Sequence, residues 1–405
     1  MMSVEHSIQS LSSYYSRLNL KREEALLFLV KSLIESTGEA SKSYFMAHRK
    51  DVRALNLKES EYMPFVLEVR PEKIGLTVIS SNEIGRGASK HVYEAYHCSL
   101  LSQNPVWQKV VAKIFVCTAG IVPYAISNGY LVQKTLSQEG IKSVAAPLSN
   151  IVVLRDLGVY MEEYRGRALG EHGRPLKERL EIFRQILEFL CILHEKKHWI
   201  WGDLHSRNVL VEYVNSQPCV SFTDLDAVAF FRSFSIAEKV PGTVSRCPWS
   251  APSHAQWFQD ARDQKRGADT RWNLPDTDIY ALTFLFYNEG NNPLNDAIVQ
   301  RVGIRRSEFA RREEEKRVEE VMGNFFTTVI RRCYQDLFEL RYRFYTAGQV
   351  LDRVKKWIDF LQHEGELPIS IPEPEGVAEV SEEKQTLKLS AAVIATKIVC
   401  YRHTL

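Results

Sequence analysis

The stretch that most constrains the chain is Trp199-Ile-Trp-Gly-Asp-Leu-His-Ser-Arg-Asn-Val-Leu-Val211. An apolar pair runs into Gly202-Asp203, polar residues follow, and Asn208 opens a second apolar run. That alternation predicts a short strand, a tight loop and another strand, with Asp203 and Asn208 on the loop. Downstream, Val220-Ser-Phe-Thr-Asp-Leu-Asp226 is a β-rich run that ends in acid. A carboxylate and a nearby carboxamide can serve phosphoryl transfer, the first orienting a hydroxyl and accepting its proton, the second ligating magnesium. Asp and Asn are also ordinary loop formers, so the loop gains meaning only from what stands around it in order.

Composition narrows the surroundings. A chain of 405 residues can hold one large two-lobed domain with extensions. A net charge of +2, from 52 basic and 50 acidic residues, argues against general electrostatic binding to nucleic acid. The 7 cysteines are scattered without a Cys-x-x-Cys pair, which supports neither a zinc site nor a secreted disulfide framework. The first residues include Glu5 and lack a long apolar core, and no uncharged apolar stretch reaches the ~18 residues of a membrane span. The expectation is a soluble, cytoplasmic protein with no transmembrane segment and no nucleic-acid partner.

Along the chain, residues 1–75 read as a helical extension, with Leu26, Leu27, Leu29, Val30, Leu33 and Ile34 in a stripe that packs against the domain behind it. From Leu76 the texture becomes β. Ile84-Gly85-Arg86-Gly87-Ala88-Ser89-Lys90-His91-Val92-Tyr93 leads to Val110-Val111-Ala112-Lys113-Ile114-Phe115. Glycines at a strand-to-strand turn let backbone approach phosphates, and a valine just beyond can cover a flat base. A helix is expected over Tyr124–Ser137 with Ile126, Tyr130, Leu131 and Thr135 inward, then two strands near Val152 and Val159. After Arg174-Pro175 a strong amphipathic helix runs to about Lys197, with Leu176, Leu180, Phe183, Leu187 and Leu190 inward. His194 and His198 read as structural. The charge run Arg305–Val321 reads as a solvated helix, and the Pro- and acid-rich residues 363–383 as a linker.

The order of these features resembles the protein kinase-like superfamily over roughly residues 76–360: glycine loop, lysine strand, Met161-Glu-Glu-Tyr164, Asp203 with Asn208, Asp224, Ala251-Pro252 and Asp278. The resemblance implies an α+β, two-lobed fold, with a β-rich N-lobe over 76–162, a helical C-lobe over 163–360, and residues 361–405 as linker and apolar C-terminal segment. It implies an ATP-dependent phosphotransferase using Mg2+ or Mn2+, with a serine or threonine of a protein substrate as acceptor. By position, Asp203 is the catalytic carboxylate, His205 stands near the γ-phosphate, and Asn208, Asp224 and Asp226 face the metal. Gly85, Gly87, Val92, Ala112 and Lys113 meet the nucleotide, and Glu162 and Tyr164 lie at the hinge against the adenine. Asp278 is implied to tie down the catalytic-loop backbone.

Several departures stand beside the resemblance. Lys90 replaces the third glycine, and Val-Ala-Lys-Ile leaves Lys113 as the nucleotide lysine, with Lys109 second. No Asp or Glu occurs between Lys113 and Glu139, so Asn128 or Gln133 occupies the neighbourhood of the glutamate that kinases pair with that lysine. Trp201 and Gly202 replace His-Arg, and Gly202-Asp203-Leu204-His205 is similar to aminoglycoside phosphotransferases. Ser253 replaces the glutamate after Ala-Pro. These departures keep two alternatives open, a pseudokinase that serves as a binding module and a kinase of small-molecule acceptors.

Overall fold

Runs rich in Val, Ile, Tyr and Phe, punctuated by glycine and polar residues, form the strands of this chain. A computed structural model describes residues 42–46, 65–70, 73–87, 89–99, 108–154, 157–169, 174–230, 239–241, 270–272, 276–286, 313–335, 341–363 and 366–379. The apolar stripe of residues 26–34, residues 242–253, residues 305–312 and the segment 387–401 lie outside the described residues. The architecture is α+β and divides into two compact units. The first comprises residues up to Ser127 with Ala145–Tyr164, and the second comprises Asn128–Val144 with the chain from Arg165 onward.

The first unit is built on a seven-stranded sheet of β1 (Lys42–Met46), β2 (Phe65–Arg70), β3 (Lys73–Arg86), β4 (Lys90–Ser99), β5 (Gln108–Val116), β6 (Val152–Leu154) and β7 (Leu157–Glu163). Its order is β1-β2-β3-β4-β5-β7-β6, and every pairing is antiparallel. The expected helical extension over residues 1–75 is therefore corrected where the chain is described. Lys42–Met46 and Phe65–Arg70 extend the sheet beyond β3, as the β character of Phe-Val-Leu-Glu-Val allows. Strand alternation sorts the side chains into two faces. Ile79, Tyr93, Val110, Ala112, Ile114 and Met161 form an apolar cluster on one of them. On the other, Phe115 lies over Gly158, where an added Cβ would come within 2.2 Å of the ring.

The second unit takes α1 (Tyr124–Gln138) from Asn128 onward. It continues with β8 (Arg167–Ala168), α2 (Leu176–Cys191), β9 (Trp199–Ile200), β10 (Val209–Val214), β11 (Gln217–Phe222) and β12 (Ala229–Phe230). Then follow β13 (Lys239–Pro241), β14 (Thr270–Trp272), α3 (Asp276–Phe286), α4 (Glu313–Gln335), β15 (Arg341–Phe344), α5 (Ala347–His363) and β16 (Gly376–Glu379). The five inward residues expected on α2 are all buried. The helix closes in a wider π-helical turn over Ile192–Lys196, the end that feeds the Trp199 stretch. Asn215 and Ser216, with φ of 50° and 63°, make the tight turn between β10 and β11. Aromatic contacts bind the unit together. Phe189 stacks on Phe222 at 4.1 Å, Phe183 meets Phe326 edge-on at 5.3 Å, and Phe325 meets Trp357 at 5.9 Å.

Two further expectations change. Residues 366–379 dock instead of acting as a linker. Tyr345 Oη donates to the Pro372 carbonyl, Arg353 Nη1 to Pro368, and Gln349 Nε2 to Glu373, while β16 pairs with β15. The prolines remove backbone donors there, and side chains of α5 supply donors to the carbonyls that remain. In α4, Glu313 and Glu314 are exposed as a solvated helix requires, but Glu319 is buried and paired with buried Arg179 of α2. Among the described residues no helix is long and apolar enough to cross a membrane. Truncating Glu319 to Ala removes the carboxylate paired with the buried Arg179 guanidinium and is expected to cost about 3–5 kcal/mol in urea unfolding. Arg179→Met with Glu319→Leu is expected to recover most of that loss; an alanine variant as stable as the wild type would contradict the pairing.

Candidate functional site

The Trp199 stretch owes its path to one carboxylate. Asp278, fully buried on α3, accepts hydrogen bonds from the backbone N–H of Trp201 at 2.7 Å and of Gly202 at 2.8 Å. His194 Nε2, in the π-helical turn, lies 2.9 Å from the same carboxylate. Gly202 has a φ of 76°, a left-handed conformation that glycine adopts without strain. Trp201 is fully buried, edge-on to Phe189 and Phe222 at 5.8 and 5.6 Å, so it anchors the loop in the apolar core. The structural assignment of His194 and the tethering role of Asp278 both match what the sequence led us to expect.

Antiparallel pairing then brings together residues that are distant in sequence. Val209 faces Phe222 across β10 and β11, and the Thr223 N–H donates to the Asn208 carbonyl at 3.1 Å. Asn208 and Asp224 thus emerge at the same end of one hairpin, next to Asp203. Asn208 is buried, and its Nδ2 donates to the Asp203 carbonyl at 3.0 Å and approaches Asp203 Oδ2 at 3.4 Å. With the amide nitrogen committed to the loop, the amide oxygen is the atom Asn208 can offer a cation. Asp203 Oδ1 is a buried acceptor with no hydrogen-bond partner among the described atoms. His205 Nδ1 accepts the Arg207 N–H at 3.2 Å, so the ring proton sits on Nε2, which faces Asp203 Oδ2 at 3.6 Å.

Asp224 has a φ of 60°, in the left-handed region, and lies just past the end of β11. The β-rich run therefore stops before its acids, and Asp224 and Asp226 are not alternate residues of a strand. The turn is instead held by α1. Asn128 Nδ2 donates to the carbonyls of Asp226 at 3.3 Å and Val228 at 2.9 Å. Gly129 makes the approach possible, because an added Cβ would sit 2.0 Å from Asp226 Oδ1 and 2.9 Å from its backbone. The inner face of α1 is also corrected. Ile126, Tyr130, Val132, Gln133 and Leu136 are buried, whereas Leu131 and Thr135 are exposed. The one sequence signal for this contact was Gly129 itself, a residue that costs a helix about 1 kcal/mol relative to alanine. The described residues contain no group of three or more His, Cys, Asp or Glu side chains arranged for a metal ion.

In the first unit, register sorts the residues expected to meet a nucleotide. Gly85 pairs with Val92, and Val92 with Lys113, so these three share one face of the sheet. Ala112 pairs with Tyr93 and Met161 in the apolar cluster on the opposite face, which separates it from Lys113; the pleat is the reason. Neither Gly85 nor Gly87 has a positive φ, and an added Cβ at either meets nothing closer than 3.6 Å. At the base of the loop Glu83 accepts both Arg86 Nε and Nη2, and His91 Nδ1 lies 3.0 Å away. The Arg86 hydrogen bonds hold the Glu83 carboxyl below its usual range. Lys90 is buried at the start of β4, so it does not make the loop tip more cationic.

Glu162, expected at the hinge, is corrected. It is buried in β7 and forms an ion pair with Lys113, Nζ to Oε1 at 2.7 Å. Tyr164 lies past the strand end with Lys109 Nζ 4.3 Å above its ring, and Lys109 also pairs with Glu94 at 2.8 Å. Compared with models of known protein families the chain matches none, and no curated protein matches it. Replacing Asp278 by Ala orphans the buried Trp201 N–H and the part-buried Gly202 N–H, and since a buried unsatisfied donor costs about 1–3 kcal/mol, a loss of about 2 kcal/mol or more is expected on unfolding. Gly129→Ala should be destabilising even though alanine favours helix by about 1 kcal/mol, which a thermal melt can check.

Proposed function

We propose that the chain is an ATP-dependent phosphotransferase with a two-lobed protein kinase-like fold, acting on a serine or threonine hydroxyl of a protein in the cytoplasm. The observation that carries this reading is the Asp278 tether, which holds the Trp201-Gly202 backbone and so aims Asp203. Small-molecule phosphotransferases generally lack such a tether, and it favours a protein acceptor. The scattered cysteines, with no Cys-x-x-Cys pair, agree with a reducing compartment.

Asp203, whose side chain is part-exposed, orients the acceptor hydroxyl and takes its proton. His205, with its proton on Nε2, stands beside that carboxylate to donate a hydrogen bond to phosphate oxygens. The donor set suits a hard divalent cation, with the Asn208 amide oxygen and the Asp224 carboxylate as the oxygens that would hold Mg2+ or Mn2+. Such a cation, when bound, neutralises charge on the triphosphate. Asp226 steadies the turn through α1. The loop of Gly85 and Gly87 keeps its backbone bare for phosphates, because neither glycine is required by conformation or packing. Lys113 supplies a cation to the nucleotide, and Val92 shares its face to cover the base.

Turnover of ATP with Mg2+ or Mn2+, on wild type beside Asp203→Asn, tests the assignment. A loss of about 10²- to 10⁴-fold is expected with little change in ATP affinity, as for removal of a general base. Undiminished turnover would withdraw Asp203 from the chemistry. Nucleotide binding without turnover in the wild type would identify a binding module, and phosphorylated metabolites without phosphoprotein a small-molecule kinase. Gly87→Ala should leave the melting temperature near that of the wild type while weakening ATP binding, measured by calorimetry. A variant that melts early instead would show that the glycine serves the fold.

A further inference from the structure

The segment between Lys113 and Glu139 contains no carboxylate, so α1 has none to offer a lysine. Lys113 nevertheless has one. Glu162 lies on β7, the strand next to β5, one step along from the directly opposed residue: Lys113 faces Tyr160, and Glu162 faces Val111. Diagonal neighbours on one sheet face are within reach of long side chains. The ion pair closes at 2.7 Å with side chains 3% and 2% exposed, and the Tyr160 ring centroid is 5.8 Å from the ammonium. Both positions are set by backbone pairing between β5 and β7 from Val110 to Val116. A buried ion pair is weak evidence of stabilisation, because apolar replacements of similar volume often serve as well. Its placement beside Val92 and Gly85, on the face that carries the expected nucleotide residues, suggests a positioning use.

We infer that Glu162 is the positioning residue of Lys113, a carboxylate supplied by the sheet in place of one supplied by a helix. The inference rests on reading Lys113 as the nucleotide lysine. Its consequence is regulatory. A lysine held by a carboxylate on the adjacent strand is oriented whenever the sheet is folded, so its orientation needs no movement of a helix. The site is then poised for ATP without a helix-docking switch.

The test uses the full chain and four variants: Glu162→Gln, Glu162→Asp, Lys113→Met and the double variant Lys113→Met with Glu162→Gln. MgATP affinity is read by calorimetry, and folding by a melt without nucleotide. Losing a charge-assisted partner is expected to weaken MgATP binding by about ten- to hundredfold in Glu162→Gln, with Glu162→Asp in between. A residue that acts through Lys113 adds nothing once the lysine is gone, so the double variant should bind no more weakly than Lys113→Met. If the pair matters only for folding, removing both charges restores the melt and Glu162→Gln binds MgATP like the wild type. That result, or additive losses in the double variant, overturns the inference and leaves the phosphotransferase reading intact. Should Glu162→Gln fail to fold, the comparison of Glu162→Asp with the double variant decides in its place. A wild type that binds neither MgATP nor MnATP removes the phosphotransferase reading, and this inference falls with it.

Discussion

The Asp278 carboxylate, fully buried on α3, gathers donors from two places at once: His194 from the end of α2 and the backbone of Trp201 and Gly202. A charged acceptor in an apolar interior is tolerated only when donors surround it, and the donors in turn have no water to fall back on. That mutual dependence makes the loop path a property of the core. Trp201 sets its indole edge-on to the stacked rings of Phe189 and Phe222, Gly202 takes the left-handed turn, and Asp203 follows directly. Asn208 and Asp224 join it because β10 and β11 pair in one register and no other.

The first unit depends on a different rule, the two-residue period of a strand. Val92, Lys113 and Glu162 share one face of the sheet, while Ala112 and Met161 pack on the other. The Lys113–Glu162 pair is therefore a product of β-sheet register, in a chain whose α1 carries no acid. α1 has another task, in the second unit. Its Asn128 caps the turn after Asp224, and Gly129 lets that turn seat against the helix. The polar residue that looked available to the lysine serves a carbonyl pair instead.

Much of this organisation was legible in the residues themselves. Apolar spacing located α2 and its inward face and β-branched runs located β4 to β7, while Asp203, Asn208, Asp224 and Asp278 stood out through the resemblance to protein kinases. Local chemistry suffices there, since helix and strand periods are written into the pattern and a buried aspartate amid apolar residues must find donors. Pairing partners were not legible. Which strand adjoins β5, and so which carboxylate meets Lys113, depends on long-range register. The docking of residues 366–379 depends on donors from α5, and the burial of Glu319 on Arg179. Contacts between residues far apart in sequence leave little local trace, because each partner is by itself an ordinary polar residue; only the folded chain decides which of them meet.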